Sequence, residues 1–271
     1  NKYVYNSTVT VQGNNNLVRT GYEFAGWNTN ADGSGTPYLE DAKFTMQTSN
    51  VILHAQWRAK TDIVYKVEHY QQNVIGDEYT KFETEELKGT TGQPAMATAK
   101  TYTGFTENTT YADRVPSGVI LADGSLVLKL YYDRVKYTVT YAPGENGAFT
   151  EQKFENLRYG EKTPLFDKEI KGKSGYKFDG WSTDILETVT GDVIYVAQWI
   201  EEQDIRIDYT HTEGGSVSID KEILKPVTGV SVGSTAKADP GYKFVNWTKD
   251  GVEVSKDLHY KPAQVGGVNV A

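Results

Sequence analysis

The sequence contains no cysteine, which excludes a small secreted scaffold stapled by disulfides. No apolar run approaches the ~18–20 residues of a membrane-spanning helix. There is no start methionine, and no signal-peptide pattern opens at Asn1. Positive charge is in deficit: 28 Lys+Arg stand against 36 Asp+Glu, a net charge of −8. Both signs are interspersed rather than in runs, which describes a solvated acidic surface. Nucleic acid and anionic membranes both select basic patches, so neither is an expected partner.

What the chain does have is tyrosine (19 residues) and glycine (26 residues) among many Thr and Val. That mix favours β-structure with frequent turns. Its 271 residues are too many for one small domain and suit three or four. The organising stretch is Gly21-Tyr22-Glu23-Phe24-Ala25-Gly26-Trp27. It returns as Gly175-Tyr176-Lys177-Phe178-Asp179-Gly180-Trp181 and as Gly241-Tyr242-Lys243-Phe244-Val245-Asn246-Trp247. A recurrence this close marks a string of related domains. On a strand, Tyr22 and Phe24 share one face. Trp27 lies an odd number of residues from Phe24, so a regular strand would turn it away. The residue before each Trp is Gly26, Gly180 or Asn246, types that accept positive φ. A bulge there would bring the Trp back over the core. The expected core aromatics are Tyr22, Phe24, Trp27, Trp57, Tyr176, Phe178, Trp181, Trp199, Tyr242, Phe244 and Trp247.

The expected segments are 1–58, 59–134, 135–201 and 202–271. Ala-Gln-Trp closes the first and third alike, at Ala55-Gln56-Trp57 and Ala197-Gln198-Trp199. The third opens with Tyr137-Thr138-Val139-Thr140-Tyr141, a β-branched and aromatic strand, and carries one or two expected helical turns around 163–170. The first has no counterpart of that opening strand. In the fourth, Ile205-Arg206-Ile207-Asp208-Tyr209 alternates, and Gly214-Gly215 reads as a hairpin turn into Ser216-Val217-Ser218-Ile219. Asp250-Gly251 is a second hairpin signal. Val268-Asn269-Val270-Ala271 aligns with Ile194-Tyr195-Val196-Ala197 without a following Gln-Trp, so the chain reads as a piece of a longer protein. The second segment lacks the heptapeptide. Its long alternating strand is Ile63-Val64-Tyr65-Lys66-Val67-Glu68-His69-Tyr70. The joins are a few polar residues, so neighbouring segments should stack closely.

No constellation of catalytic groups emerges, and no enzyme is expected. His54, His69, His211 and His259 have no paired metal spacing and no Cys to join them. They read as isolated strand histidines, and no metal or cofactor is expected. Asn28-x-Asn30-x-Asp32-Gly33 has some letters of a calcium loop, but it begins with Asn, has Glu40 one place late and lacks flanking helices. It reads as a polar loop. Gly229-Val230-Ser231-Val232-Gly233 has the letters of a nucleophile elbow without room for the helix that must follow, and it reads as a strand.

With these residues in view, a family can be named. The heptapeptide, the loop Asn28 to Thr36 and Ala55-Gln56-Trp57 resemble the Listeria–Bacteroides repeat, or internalin B-type B-repeat. Segment three resembles it with a shorter loop, and segment four resembles its divergent form. Segment two is similar to the MucBP-like modules placed between such repeats. The resemblance implies a mainly β, or α+β, array of small β-grasp-like domains from a Gram-positive surface protein, extracellular and attached to the cell wall through other regions. It implies a non-enzymatic stalk or spacer of an adhesin, likewise monomeric. The alternative is direct binding of a host glycan, mucin or matrix glycoprotein by 59–134, through exposed aromatics at Tyr102, Phe105 and Tyr111. Cysteine-free surface domains of this kind also use Lys–Asn isopeptide bonds, for which Lys66 or Lys129 would serve.

Overall fold

Alternating β-branched, aromatic and polar residues make strands, and among the described residues every regular element is a strand. The computed structural model describes residues 2–270; Asn1 and Ala271, the outer bounds expected for the first and fourth segments, lie outside them. The protein is all-β, built of several small separate sheets that form tandem domains. The chain divides into two units. One runs through Val135 and includes Arg158–Gly160; the other holds Lys136–Leu157 and the chain from Glu161 onward.

In the first unit, the strand Tyr22–Asn28 lies between Pro37–Tyr38 and His54–Ala59, antiparallel to both. Its register slips between Phe24, opposite Trp57, and Gly26, opposite Gln56. Gly26 has φ 118°, the left-handed half of the map that only glycine enters at no cost. The bulge returns Trp27 to the Phe24 face, where the rings meet edge-on at 5.4 Å. The strand His54–Ala59 ends the sheet, while Thr8–Thr10 pairs apart with Lys43–Thr45. The second sheet of this unit orders its strands Tyr79–Gly89, Ile63–Gln72, Val127–Arg134 and Phe105–Glu107, with a parallel central pair. Its core is Tyr65, Val67, Ala95, Ile120 and Leu128.

In the second unit, the strands run Gln152–Arg158 (through Leu157 in this unit), Lys136–Ala142, Val193–Glu201 and Tyr176–Trp181, again with a parallel central pair. The same bulge recurs between Phe178 and Gly180, whose φ is 121°. Tyr141, fully buried, stacks on Tyr195 at 5.2 Å and meets Trp181 edge-on at 4.8 Å. The helical turns expected around 163–170 are not formed. Tyr141 donates its hydroxyl to the Pro164 carbonyl, and Phe166 fills the core beside Trp181, so tertiary contacts fix this crossover without a helix.

The divergent end of the chain departs most from expectation. Ile205–Asp208 pairs with Lys221–Leu224, whereas Gly215–Val217 pairs with Ser234–Ala238, so Gly214-Gly215 does not close a hairpin between adjacent strands. Asp250 and Gly251, both at positive φ, do turn Trp247–Lys249 into Val252–Ser255. The third heptapeptide is irregular until Trp247, and its bulge falls between Trp247 and Thr248 rather than at Asn246. Trp247 is buried with Ile207 and Tyr209, and Phe244 packs against them. Tyr242 is not a core residue: it is 56% exposed, its ring lying against the Gly214 backbone.

Candidate functional site

One position of the repeat is covered, in two copies, by another part of its own unit. The glycine that opens the heptapeptide takes positive φ at Gly21 and Gly175. In the first unit, Thr91 donates its buried hydroxyl to the Gly21 carbonyl at 2.7 Å, and a Cβ on Gly21 would lie 2.6 Å from Ala122 Cβ. In the second, a Cβ on Gly175 would meet Val227 at 2.7 Å, Val268 at 3.1 Å and Pro226 at 3.2 Å. Beside it, the Glu201 carboxylate accepts the N–H groups of Val227 (2.8 Å) and Thr228 (2.7 Å) and the Thr228 hydroxyl (2.8 Å). Those Thr228 and Val227 donors hold the Glu201 carboxyl below its usual range.

A polar cluster sits on the four-stranded sheet of the first unit. Tyr65, Val67 and His69 share the inward face of Ile63–Gln72, opposite Leu87, Glu85 and Glu83 of the partner strand. His69 is fully buried; its Nδ1 lies 3.0 Å from the Tyr132 hydroxyl, which also accepts the Lys100 N–H at 3.0 Å. The His69 Nε2 has no hydrogen-bond partner and lies 3.5 Å from Glu85 Oε2. The Lys100 ammonium bridges Glu83, at 2.5 Å, and Glu85, and Tyr102 donates to Glu83 at 2.7 Å. Hydrogen bonds from Lys100, joined at Glu83 by Tyr102, lower both carboxyls, and burial followed by the Glu83 contact raises the Tyr102 phenol. Spacing alone concealed this cluster. The inward phase of His69 is legible, but the strand register that brings the two glutamates opposite is not.

The residues expected to read a ligand are committed to packing. Tyr102, Phe105 and Tyr111 are half-buried rather than exposed. Tyr102 meets Tyr132 edge-on at 4.9 Å, Arg134 lies over Phe105, and Tyr111 packs on Tyr79 and Tyr131 at 4.5 and 4.4 Å. Tyr79, between them, is pushed up to about 12 by burial and its bond to Asp133. Lys66, half-exposed, faces Glu86.

The loop after Trp27 is organised by its own side chains. Buried Asn28 donates to the Gly33 and Gly35 carbonyls and accepts the Asn30 N–H, while Asp32 accepts two bonds from Ser34. Ser231 lies in a loop entering Ser234–Ala238, not in a strand or at a helix start. It donates to Glu222 at 2.6 Å, and Glu222 also accepts Tyr209, Val232 and Gly233. His54 lies in a strand, His211 bonds locally, and His259 contacts Thr235. A groove of about 590 Å³ in the first repeat is lined by Val9, Val11, Trp27, Phe44, Met46 and Leu53.

Residues 1–56 and 137–197 match the Listeria-Bacteroides repeat domain, and residues 205–264 match the divergent InlB B-repeat domain. The intervening stretch lies outside these matches. The chain is 26% identical over 262 residues to a protein of Evansella cellulosilytica named "Putative Gly-rich membrane protein", covering 91% of this chain and 28% of that protein. A second protein of that organism, named "Putative membrane protein", is 27% identical over 128 residues, covering 45% of this chain and 19% of its own. The chain thus spans less than a third of the length of either relative. Among the described residues, no helix is long and apolar enough to cross a membrane. The chain therefore carries Listeria–Bacteroides repeat domains and a divergent InlB B-repeat domain, of the type found in bacterial surface proteins.

Proposed function

We propose that this chain is a non-enzymatic stalk or spacer region of a Gram-positive cell-surface adhesin, built of four modules at 1–58, 59–134, 135–201 and 202–271. The observation that carries the reading is the covered repeat glycine. At both Gly21 and Gly175 the turn that starts the aromatic strand is capped by residues of the following module within its unit. A seat at the same repeat position in each unit fixes a neighbour without a flexible linker, which a load-bearing spacer needs. The strand order second-first-fourth-third, with a parallel central pair, supports a β-grasp-like arrangement in 135–201 whose crossover is irregular instead of helical. The stretch 59–134 has the same order, in keeping with an interposed MucBP-like module. The acidic surface keeps neighbouring copies apart. For the alternative, glycan or mucin binding by 59–134, Tyr102, Phe105 and Tyr111 offer half-buried rings packed against neighbouring side chains, and Phe82 is the exposed aromatic of this stretch.

Small-angle X-ray scattering of the chain tests the reading. A single globule of this length has a radius of gyration of about 18–19 Å. Four modules end to end, each ~35 Å long from strands of about ten residues, give roughly 40 Å. The smaller value sinks the spacer and favours modules folded back on one another.

A further inference from the structure

We propose that His69, Glu83 and Glu85 form a zinc site. Their ligand atoms all lie within 4.8 Å of one another. Two carboxylates held by a lysine would be an ordinary surface ion pair. What sets this cluster apart is His69, fully buried, whose Nε2 makes no hydrogen bond of ordinary geometry and has Glu85 Oε2 facing it at 3.5 Å. Burying a ring nitrogen without a partner costs free energy, and a ligand that accepts its lone pair removes that cost. The separation of 3.5 Å between Nε2 and Glu85 Oε2 is long for a hydrogen bond. It is close to the roughly 3.3 Å between neighbouring ligand atoms around a tetrahedral ion with bonds of about 2.0–2.1 Å. One imidazole and two carboxylates are a borderline donor set, which suits Zn²⁺ better than the all-oxygen cations.

The surroundings orient these ligands. The Tyr132 hydroxyl meets His69 Nδ1, so with the proton on Nδ1 the Nε2 lone pair is free for metal. That hydroxyl is itself pinned by the Lys100 backbone N–H, and Tyr102 fixes Glu83 through Oε1. The Lys100 ammonium bridges both carboxylates and makes no hydrogen bond to Nε2. Its side chain is 36% exposed, so it can swing to solvent and leave a fourth position for water. Lys100 is thus a tethered competitor: its single charge holds the carboxylates in place and opposes entry of a second cation. Bound zinc would cross-link Ile63–Gln72 to Tyr79–Gly89 and stiffen the module.

Zinc chloride titrated calorimetrically into the metal-stripped chain tests the site, with zinc-edge X-ray absorption on the loaded wild-type protein. The expected result is saturable binding of one ion with one imidazole and oxygen ligands in its shell. Glu85→Gln, at a half-exposed residue, should weaken binding by at least about tenfold. Lys100→Met should tighten it. His69→Gln should abolish it, but this buried change can unfold the module, so Glu85→Gln and Lys100→Met carry the decision. No saturable binding, a shell without imidazole, binding unchanged by Glu85→Gln, or a Lys100→Met chain that binds no tighter than wild type would each overturn the proposal.

Discussion

Glu201 accepts the Thr228 backbone N–H at 2.7 Å and the Thr228 hydroxyl at 2.8 Å, one carboxylate closing two bonds across 27 residues. It lies beside the covered Gly175, so a side chain from the end of one repeat domain organises the turn that begins the contact with the next. Replacing Glu201 by Ala should leave both repeat domains folded and separate their unfolding. Calorimetry should then resolve two transitions in the variant and a single coupled one in the wild type. Unchanged coupling would remove Glu201 from the joint.

The two glycine contexts can be set against each other. Gly175→Ala pays for positive φ, about 1–2 kcal/mol, and also drives a Cβ to 2.7 Å from Val227. Gly241, at φ 90°, has nothing within 4 Å of the added atom, so Gly241→Ala pays the backbone cost alone. Denaturant titration should rank Gly175→Ala as clearly the more damaging. Equal losses would mean that the seat contributes nothing.

Trp181 touches Tyr141, Phe166 and Phe178 edge-on at 4.8, 5.6 and 5.3 Å. Truncation to Ala should cost ~3–5 kcal/mol, enough to unfold its own domain, given the marginal core of a small module. Hydrogen exchange should show protection lost throughout 137–197 and kept in the first unit. Retained protection in Lys136–Ala142 would refute the core assignment.

Acid should weaken the divergent domain through Glu222. Burial raises its carboxyl, but the bonds donated by Ser231, Tyr209, Val232 and Gly233 outweigh burial and hold it below its ordinary value. A folded-state value below the unfolded one stabilises above the unfolded pKa, and that contribution is lost as pH falls through the folded pKa. Tyr209, raised to about 12 chiefly by burial, stays a hydroxyl donor throughout. Glu222→Gln turns one acceptor oxygen into a donor facing two N–H groups or two hydroxyls. It should cost about 1–3 kcal/mol at neutral pH and flatten the acid dependence of melting. A variant with the wild-type acid profile would assign that dependence elsewhere.

The odd spacing from Phe24 to Trp27, with a glycine before the Trp, dictated the bulge in both matched repeats. The steric freedom of that residue is a property of the sequence alone. The same argument failed at Asn246, where the heptapeptide stays irregular up to Trp247. Tyr242 there lies on Gly214 and stays in water, because pairing partners, not local spacing, decide whether a stretch joins a sheet.

Residue order alone makes the protein legible as a β-rich repeat array organised by an aromatic heptapeptide at Gly21, Gly175 and Gly241. Alternation, turn residues and an internal recurrence are local, so they survive without knowledge of contacts. What lies beside what is set by long-range contacts. The irregular crossover at 163–170 follows from Tyr141 and Phe166, and the half-burial of Tyr102 and Tyr111 follows from neighbouring rings. The facing of His69 by Glu83 and Glu85 depends on a strand register, and a slip of one residue would reverse every side chain of the partner strand.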